Sequence, residues 1–105
     1  MTQFNTPGFI EGQIDKNEDI KIRRKRLKFR SWHRGIKEAD ILLGSFADQF
    51  LDQMTPEQLD LYENLLREAD SDLVAWITSD RPEPEQYDHD VMKMLKSIDY
   101  IKIIK

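Results

Sequence analysis

Apolar residues recur at helical spacing along most of this chain. Two-residue alternation of the strand type shows only faintly, in Ile101-Lys102-Ile103-Ile104-Lys105. The clearest stripe is Ile36, Ala39, Leu42, Leu43, Phe46, Ala47 and Phe50, which keeps the i, i+3, i+4, i+7 spacing of a helix with one buried face. It predicts a helix starting near Ile36. Upstream, Ile20, Leu27, Phe29 and Trp32 form a rougher stripe, in a helix capped by Asn17 or Asp19 that runs to about His33. Gly35 then serves as C-cap or junction. Downstream, Thr55-Pro56-Glu57-Gln58 announces a helix, with Thr at the N-cap, Pro at the first turn and Gln closing a capping box. Leu59, Tyr62, Leu65 and Leu66 supply its core face, and Glu63, four residues before Arg67, predicts a weak surface pair. A short helix capped by Asp70 or Ser71 points Leu73, Val74, Trp76 and Ile77 inward. It stops at Asp80-Arg81-Pro82-Glu83-Pro84, because neither proline continues a helix interior. Asp88 caps a last helix carrying Val91, Met92, Leu95 and Ile98. The expected fold is all-α, a compact five-helix antiparallel bundle, with Leu42, Phe46, Leu59, Leu65, Trp76 and Leu95 buried.

A chain of 105 residues supports one core and hence a single domain. Pro7, Gly8, Gly12 and few periodic apolar residues predict a flexible N-terminal tail over residues 1–17. The helical domain is expected over 18–100, with a C-terminal tail over 101–105. The absence of cysteine excludes disulfides, thiolate metal sites and cysteine nucleophiles. No apolar run approaches the roughly 20 residues that span a bilayer, so membrane insertion is not expected. The N-terminus lacks the pattern of a signal peptide and of an arginine-rich transit sequence, which makes the cytoplasm the default expectation.

Charge divides the chain sharply. Residues 21–34 hold eight basic side chains (Lys21, Arg23, Arg24, Lys25, Arg26, Lys28, Arg30, Arg34) and no acidic one, whereas residues 38–90 hold fifteen acidic and two basic ones, Arg67 and Arg81. Such asymmetry steers partners more than it sets the fold. With Phe29 and Trp32 interleaved, the basic segment fits an alternative reading as a basic-helix binding module for nucleic acid or an anionic membrane. Against nucleic acid stands an overall pI near 5.1, where a nucleic-acid-binding domain is typically above about 9. For most of these cations a solvated helix face is the other reading that stays open.

Patterns of enzymatic chemistry are missing. His33 and His89 have no histidine at i+4 and no glutamate arranged as on a zinc-binding helix, so surface histidines are expected. There is no P-loop, nucleophile elbow or dinucleotide GxGxxG, and glycines at 8, 12, 35 and 44 are too scattered to cradle a phosphate. Paired carboxylates such as Glu38/Asp40 and Asp88/Asp90 are better read as solvated faces and caps than as acid–base dyads. No enzyme is expected.

What remains is Arg34-Gly35-Ile36-Lys37-Glu38, at the junction of the basic and acidic halves. Arg34 offers a fork of donors suited to a carboxylate or phosphate, Gly35 permits close approach, and Glu38 shares a face with Arg34 if one helix runs through both. By itself the pattern is weak; a glycine cap and an Arg–Glu surface pair give the same letters. Its context is more specific. Ala39-Asp40, Leu42-Leu43-Gly44-Ser45-Phe46-Ala47-Asp48, Pro56-Glu57-Gln58-Leu59, Tyr62-Glu63-Asn64-Leu65-Leu66, Asp70-Ser71-Asp72-Leu73 and Trp76-Ile77-Thr78 follow in order. From about Arg23 to Leu95 the chain resembles the succinate dehydrogenase flavinylation factors, also called assembly factor 2. It departs from them at Ser79-Asp80, where such proteins often place a glycine.

The resemblance implies a five-helix assembly factor, or chaperone, without catalytic activity of its own. Such a factor binds the flavoprotein subunit of succinate dehydrogenase and promotes covalent attachment of FAD to a subunit histidine. It holds no cofactor stably itself and acts on FAD bound to the client. Arg34, Gly35 and Glu38 match the family signature and would face the client, joined in this reading by Arg30, Ile36 and Asp40. Gly35 would let the client backbone approach closely, and the cations around Arg30 and Arg34 would steer the factor to an acidic patch. A monomer is expected, working in the bacterial cytoplasm or, in a eukaryote, the mitochondrial matrix. Whether fumarate reductase is also a client stays open.

Overall fold

The computed structural model describes residues 18–98. The Asn17 cap, the two tails and the alternation over 101–105 lie outside the described residues. Five α-helices follow in order: α1 (Ile20–Trp32), α2 (Lys37–Phe50), α3 (Pro56–Leu65), α4 (Asp70–Ile77) and α5 (Asp90–Ser97). One-turn 3-10 helices at Leu51–Gln53 and Glu85–Tyr87 carry the chain out of α2 and into α5. Among the described residues there is no strand, and the five-helix all-α expectation holds.

Local chemistry explains most of the boundaries. Asp19 accepts the Lys21 amide at 2.8 Å and starts α1. Thr55 and Gln58 form the reciprocal capping box of α3, with Thr55 Oγ1 accepting from Gln58 N at 3.1 Å and Gln58 Oε1 from Thr55 N at 3.0 Å. Two caps differ from expectation. Helix α5 is capped by His89, whose Nδ1 accepts the Met92 amide at 3.2 Å, and not by Asp88. Helix α4 begins after Ala69 with no side-chain cap, because the Asp70 carboxylate points elsewhere. At its other end, the Asp80 amide bonds to the Ala75 carbonyl and the Ser79 amide to Trp76, which is a Schellman closure with Ser79 at φ 64°. That left-handed position suits glycine better than the serine that occupies it.

The core runs down the inner face of α2. Leu42, Leu43, Phe46 and Ala47 are fully buried with Leu51, Leu59, Tyr62, Leu65, Leu73, Val91 and Leu95. Phe46 packs on Tyr62 with ring centroids 5.1 Å apart, and Trp76 packs on Tyr87 at 5.5 Å. The Tyr62 hydroxyl lies 2.7 Å from Ser31 Oγ, and burial pushes its phenol above the usual range. All six residues expected to be buried are buried. Two edges of the α2 stripe are not: Phe50 is half-buried and Ile36 is exposed.

Candidate functional site

Helix α1 ends at Trp32, its cap His33 leaves helical geometry, and Ile36, at ψ 149°, is the extended N-cap of α2. The helix is therefore broken between Arg34 and Glu38, and the two do not share a helical face. Arg34 turns inward. Its Nε donates to Asp70 Oδ1 at 2.7 Å, Nη1 to the Leu66 carbonyl at 3.0 Å and Nη2 to the Glu68 carbonyl at 3.2 Å. The Leu66 carbonyl caps α3 and that of Glu68 lies in the link to α4; the guanidinium supplies both with donors. Arg30 Nη2 reaches the same Leu66 carbonyl at 3.2 Å, and the Arg34 amide donates to Asp40 Oδ1. Only 10% of the Arg34 side chain is exposed.

Asp70 uses both carboxylate oxygens here. Oδ1 takes Arg34 Nε, and Oδ2 accepts the Gly35 amide at 2.5 Å. A Cβ on Gly35 would stand 2.9 Å from Asp70 Oδ2. Gly35 backbone lies outside the left-handed region, so glycine serves here by its small size. The six residues singled out from the sequence thus gather at one corner but divide in direction. Arg30, Arg34 and Asp40 bind the corner internally, whereas Gly35, Ile36 and Glu38 are exposed. Ile36, at 40% exposure, and Glu38 line a groove of about 690 Å³ together with Val74, Ala75 and Asp80.

The basic helix follows its expected stripe only at Leu27, which is buried with Arg23 and Ser31, while Ile20, Phe29 and Trp32 are exposed, as is Ile22. His33 stacks on Phe29 with centroids 3.9 Å apart. Trp32 lies across Gly44, where a Cβ would meet the indole at 2.2 Å, and its Nε1 sits 3.2 Å from both Asp48 oxygens. Glu63 is fully buried in α3, not part of a surface pair. Its carboxylate accepts from Arg23 Nη2 at 3.0 Å and from Arg26 Nη1 at 2.8 Å. Asp60 adds a 2.6 Å bond to Arg23, and Glu18 binds Arg26 at 2.8 Å. Burial works against the Arg26 charge, but its bonds to Glu18 and Glu63 prevail and hold its pKa above the usual value. Arg24 donates to the Leu51 and Met54 carbonyls, both at 2.9 Å, and Lys28 pairs with Asp52 at 3.2 Å.

The arginines are not a solvated face, although Lys21 and Lys25 are exposed. The arginines tie α1 to the rest of the bundle, so they do not line a phosphate-binding track, and the nucleic-acid reading loses most of its contacts. Among the described residues no cluster of His, Asp and Glu could hold a metal ion, and no helix is long and apolar enough to cross a membrane. Sequence reasoning missed Asp70, Glu63 and Gly44. For Glu63 a signal existed, since Leu59, Tyr62, Glu63 and Leu66 share the i, i+3, i+4, i+7 face that is buried. Nothing local marks Asp70 as the partner of a residue 36 positions away.

Residues 25–99 match the family described as "Flavinator of succinate dehydrogenase". The chain is 34% identical over 107 residues to the mitochondrial succinate dehydrogenase assembly factor 2-B of Drosophila ananassae, covering 97% of this chain and 64% of that one. It is 44% identical over 81 residues to the mitochondrial succinate dehydrogenase assembly factor 2 of Danio rerio, and 43% over 83 residues to that of Lodderomyces elongisporus. Each of these two matches covers 75% of this chain, which spans 51% of either relative's length.

Proposed function

The chain belongs to the flavinator of succinate dehydrogenase family, a family of assembly factors and not of enzymes, and from that premise we propose that it binds the flavoprotein subunit of succinate dehydrogenase and promotes covalent attachment of FAD to a subunit histidine. The observation that carries the site is the outward edge of the α1–α2 corner. Gly35, Ile36 and Glu38 stand exposed beside a groove, on a segment fixed from within by Arg34 and Asp40. An exposed branched apolar residue next to a carboxylate, on a rigid corner, is a protein contact that loses little conformational entropy on binding. In this reading Gly35, Ile36 and Glu38 touch the client, while Arg30, Arg34 and Asp40 hold them in place.

The reaction asks for geometry more than for a new functional group. A histidine nitrogen joins the flavin 8α carbon, one hydrogen leaves each of them, and the two electrons and two protons pass to the flavin ring, which ends reduced. Oriented reactants gain effective molarities on the order of 10⁵ M or more. A factor that binds one client conformation shifts the population toward it by its differential affinity alone. This chain then needs no cofactor of its own; the FAD belongs to the client. It acts as a monomer through residues 18–100, in the mitochondrial matrix of a eukaryote or the cytoplasm of a bacterium.

The test is covalent flavin on the client. Apo flavoprotein subunit incubated with FAD, with and without this protein, is denatured, run on a gel and read by flavin fluorescence. The expected result is a fluorescent subunit band that rises with added protein. An equal band in both arms, under conditions where the subunit is folded, would contradict the function.

A further inference from the structure

We propose that Asp70 is the positioning residue of the corner, and that the need for glycine at position 35 is set from inside the molecule by the Asp70 carboxylate. The clasp itself stands on geometry; its effect on the client rests on the function proposed above. One oxygen of Asp70 holds the Arg34 guanidinium at 2.7 Å and the other holds the Gly35 amide at 2.5 Å, so a single side chain of α4 fixes two adjacent residues between α1 and α2. Both partners of the ion pair are largely buried, with Arg34 10% and Asp70 16% exposed.

The space that glycine leaves is therefore occupied already. A methyl group at position 35 would sit 2.9 Å from Asp70 Oδ2, closer than carbon and oxygen tolerate. Asp70 cannot swing aside freely. Its carboxylate is charge-paired with Arg34 and lies in the first turn of α4, where the helix dipole favours a negative charge. Any side chain at 35 must displace the carboxylate or the corner. Either movement shifts Ile36 and Glu38, the next exposed groups along the chain. Asp70 reaches the client only through them.

A double-mutant cycle on the full chain tests this: Gly35→Ala, Asp70→Ala and both together. Each variant is read by thermal melting without client, and by affinity for the apo flavoprotein subunit well below every melting midpoint. The two singles should each lower the midpoint by a few degrees and weaken client affinity about tenfold, and the double should be no worse than Asp70→Ala alone, since the collision partner is then gone. Asp70→Asn keeps the shape and an acceptor, so it should recover part of the affinity lost in Asp70→Ala yet still collide with Gly35→Ala; Asp70→Ser, which also removes the colliding oxygen, replaces Asp70→Ala in the cycle if that variant fails to fold. Additive losses, reaching about a hundredfold in the double, would mean that the space at Gly35 is needed by the client and would overturn the proposal. Lower midpoints with unchanged affinity would reduce Asp70 to a fold-stabilising residue and overturn its positioning role. If the wild-type chain does not bind the flavoprotein, the function reading fails, while the melting cycle still decides whether the clasp sets the glycine.

Discussion

Helices α1 and α2 pack along one another, join at one corner and bury opposite kinds of side chain. The inner face of α2 is Ala39, Leu42, Leu43, Phe46 and Ala47, and each large member contributes about 1.5–3 kcal/mol by leaving water. The inner face of α1 holds Arg23, Leu27 and Ser31, with Arg26, Arg30 and Arg34 reaching inward beside them, while Ile22 and Phe29 stand outside. Burying such ion pairs yields little net stability, because desolvation offsets their attraction; what they supply is a unique placement. The comparison teaches that a helix dense in cations can be an internal strut. Of its outward apolar residues, Phe29 is then left at the end of α1 that leads into the exposed corner, and Ile22 near the other end.

The largest test sets the two helices against each other. Phe46→Ala should cost on the order of 3–5 kcal/mol by opening a cavity under Tyr62. Glu63→Ala should cost about 3 kcal/mol although far less apolar surface is lost, because Arg23 and Arg26 keep buried charge without their shared carboxylate. Glu63→Gln should fall between Glu63→Ala and the wild type. Urea denaturation measures all three. A Glu63→Ala protein as stable as the wild type would show that α1 is not anchored by charge.

Gly44 sharpens the seam between the two helices. Alanine favours a helix over glycine by about 1 kcal/mol, but here its methyl would enter the Trp32 indole. The collision should win, with a net loss of about 1–2 kcal/mol and a changed Trp32 fluorescence environment. A stabilised Gly44→Ala protein would place the indole elsewhere. Away from the seam, Ser79→Gly should add about 1 kcal/mol by relieving a left-handed serine, without affecting either helix of the comparison.

The smallest effect comes from an ion pair of the opposite kind. Lys96 Nζ lies 2.6 Å from Glu83 Oε1 in a half-buried pair, and that hydrogen bond is the main cause holding the Glu83 carboxyl below its ordinary 4.5. A carboxyl lowered in the folded state contributes stability that is complete above pH 4.5 and fades as pH falls from there through the lower folded value. Lys96→Met should therefore change stability at neutral pH by less than about 1 kcal/mol and remove that acid-dependent part. A loss comparable to Glu63→Ala would erase the distinction between this half-buried pair and the fully buried carboxylate of Glu63.

What could be read from the sequence follows the same division. The stripe of α2 and the capping box of α3 are local patterns with one physical reading, and both appear where expected. The arginines of α1 have two readings, because a charged stripe can face water or a buried carboxylate, and the choice depends on Glu63, 40 positions away from Arg23. The signature residues were legible as a cluster, but their directions were not. Arg34 and Glu38 part because the helix breaks between them, and Arg34 finds Asp70 only in three dimensions.

The central claim is that the corner is held from inside and met from outside. It is tested most directly by titrating the apo flavoprotein subunit against the double variant Ile36→Ala/Glu38→Ala, whose altered side chains are both exposed. Truncations at the surface should shift stability by no more than about 0.5 kcal/mol each, so the melting midpoint should stay near that of the wild type. Client affinity should nevertheless fall at least about tenfold, and covalent flavin with it. A folded double variant that binds the subunit as tightly as the wild type would contradict the account.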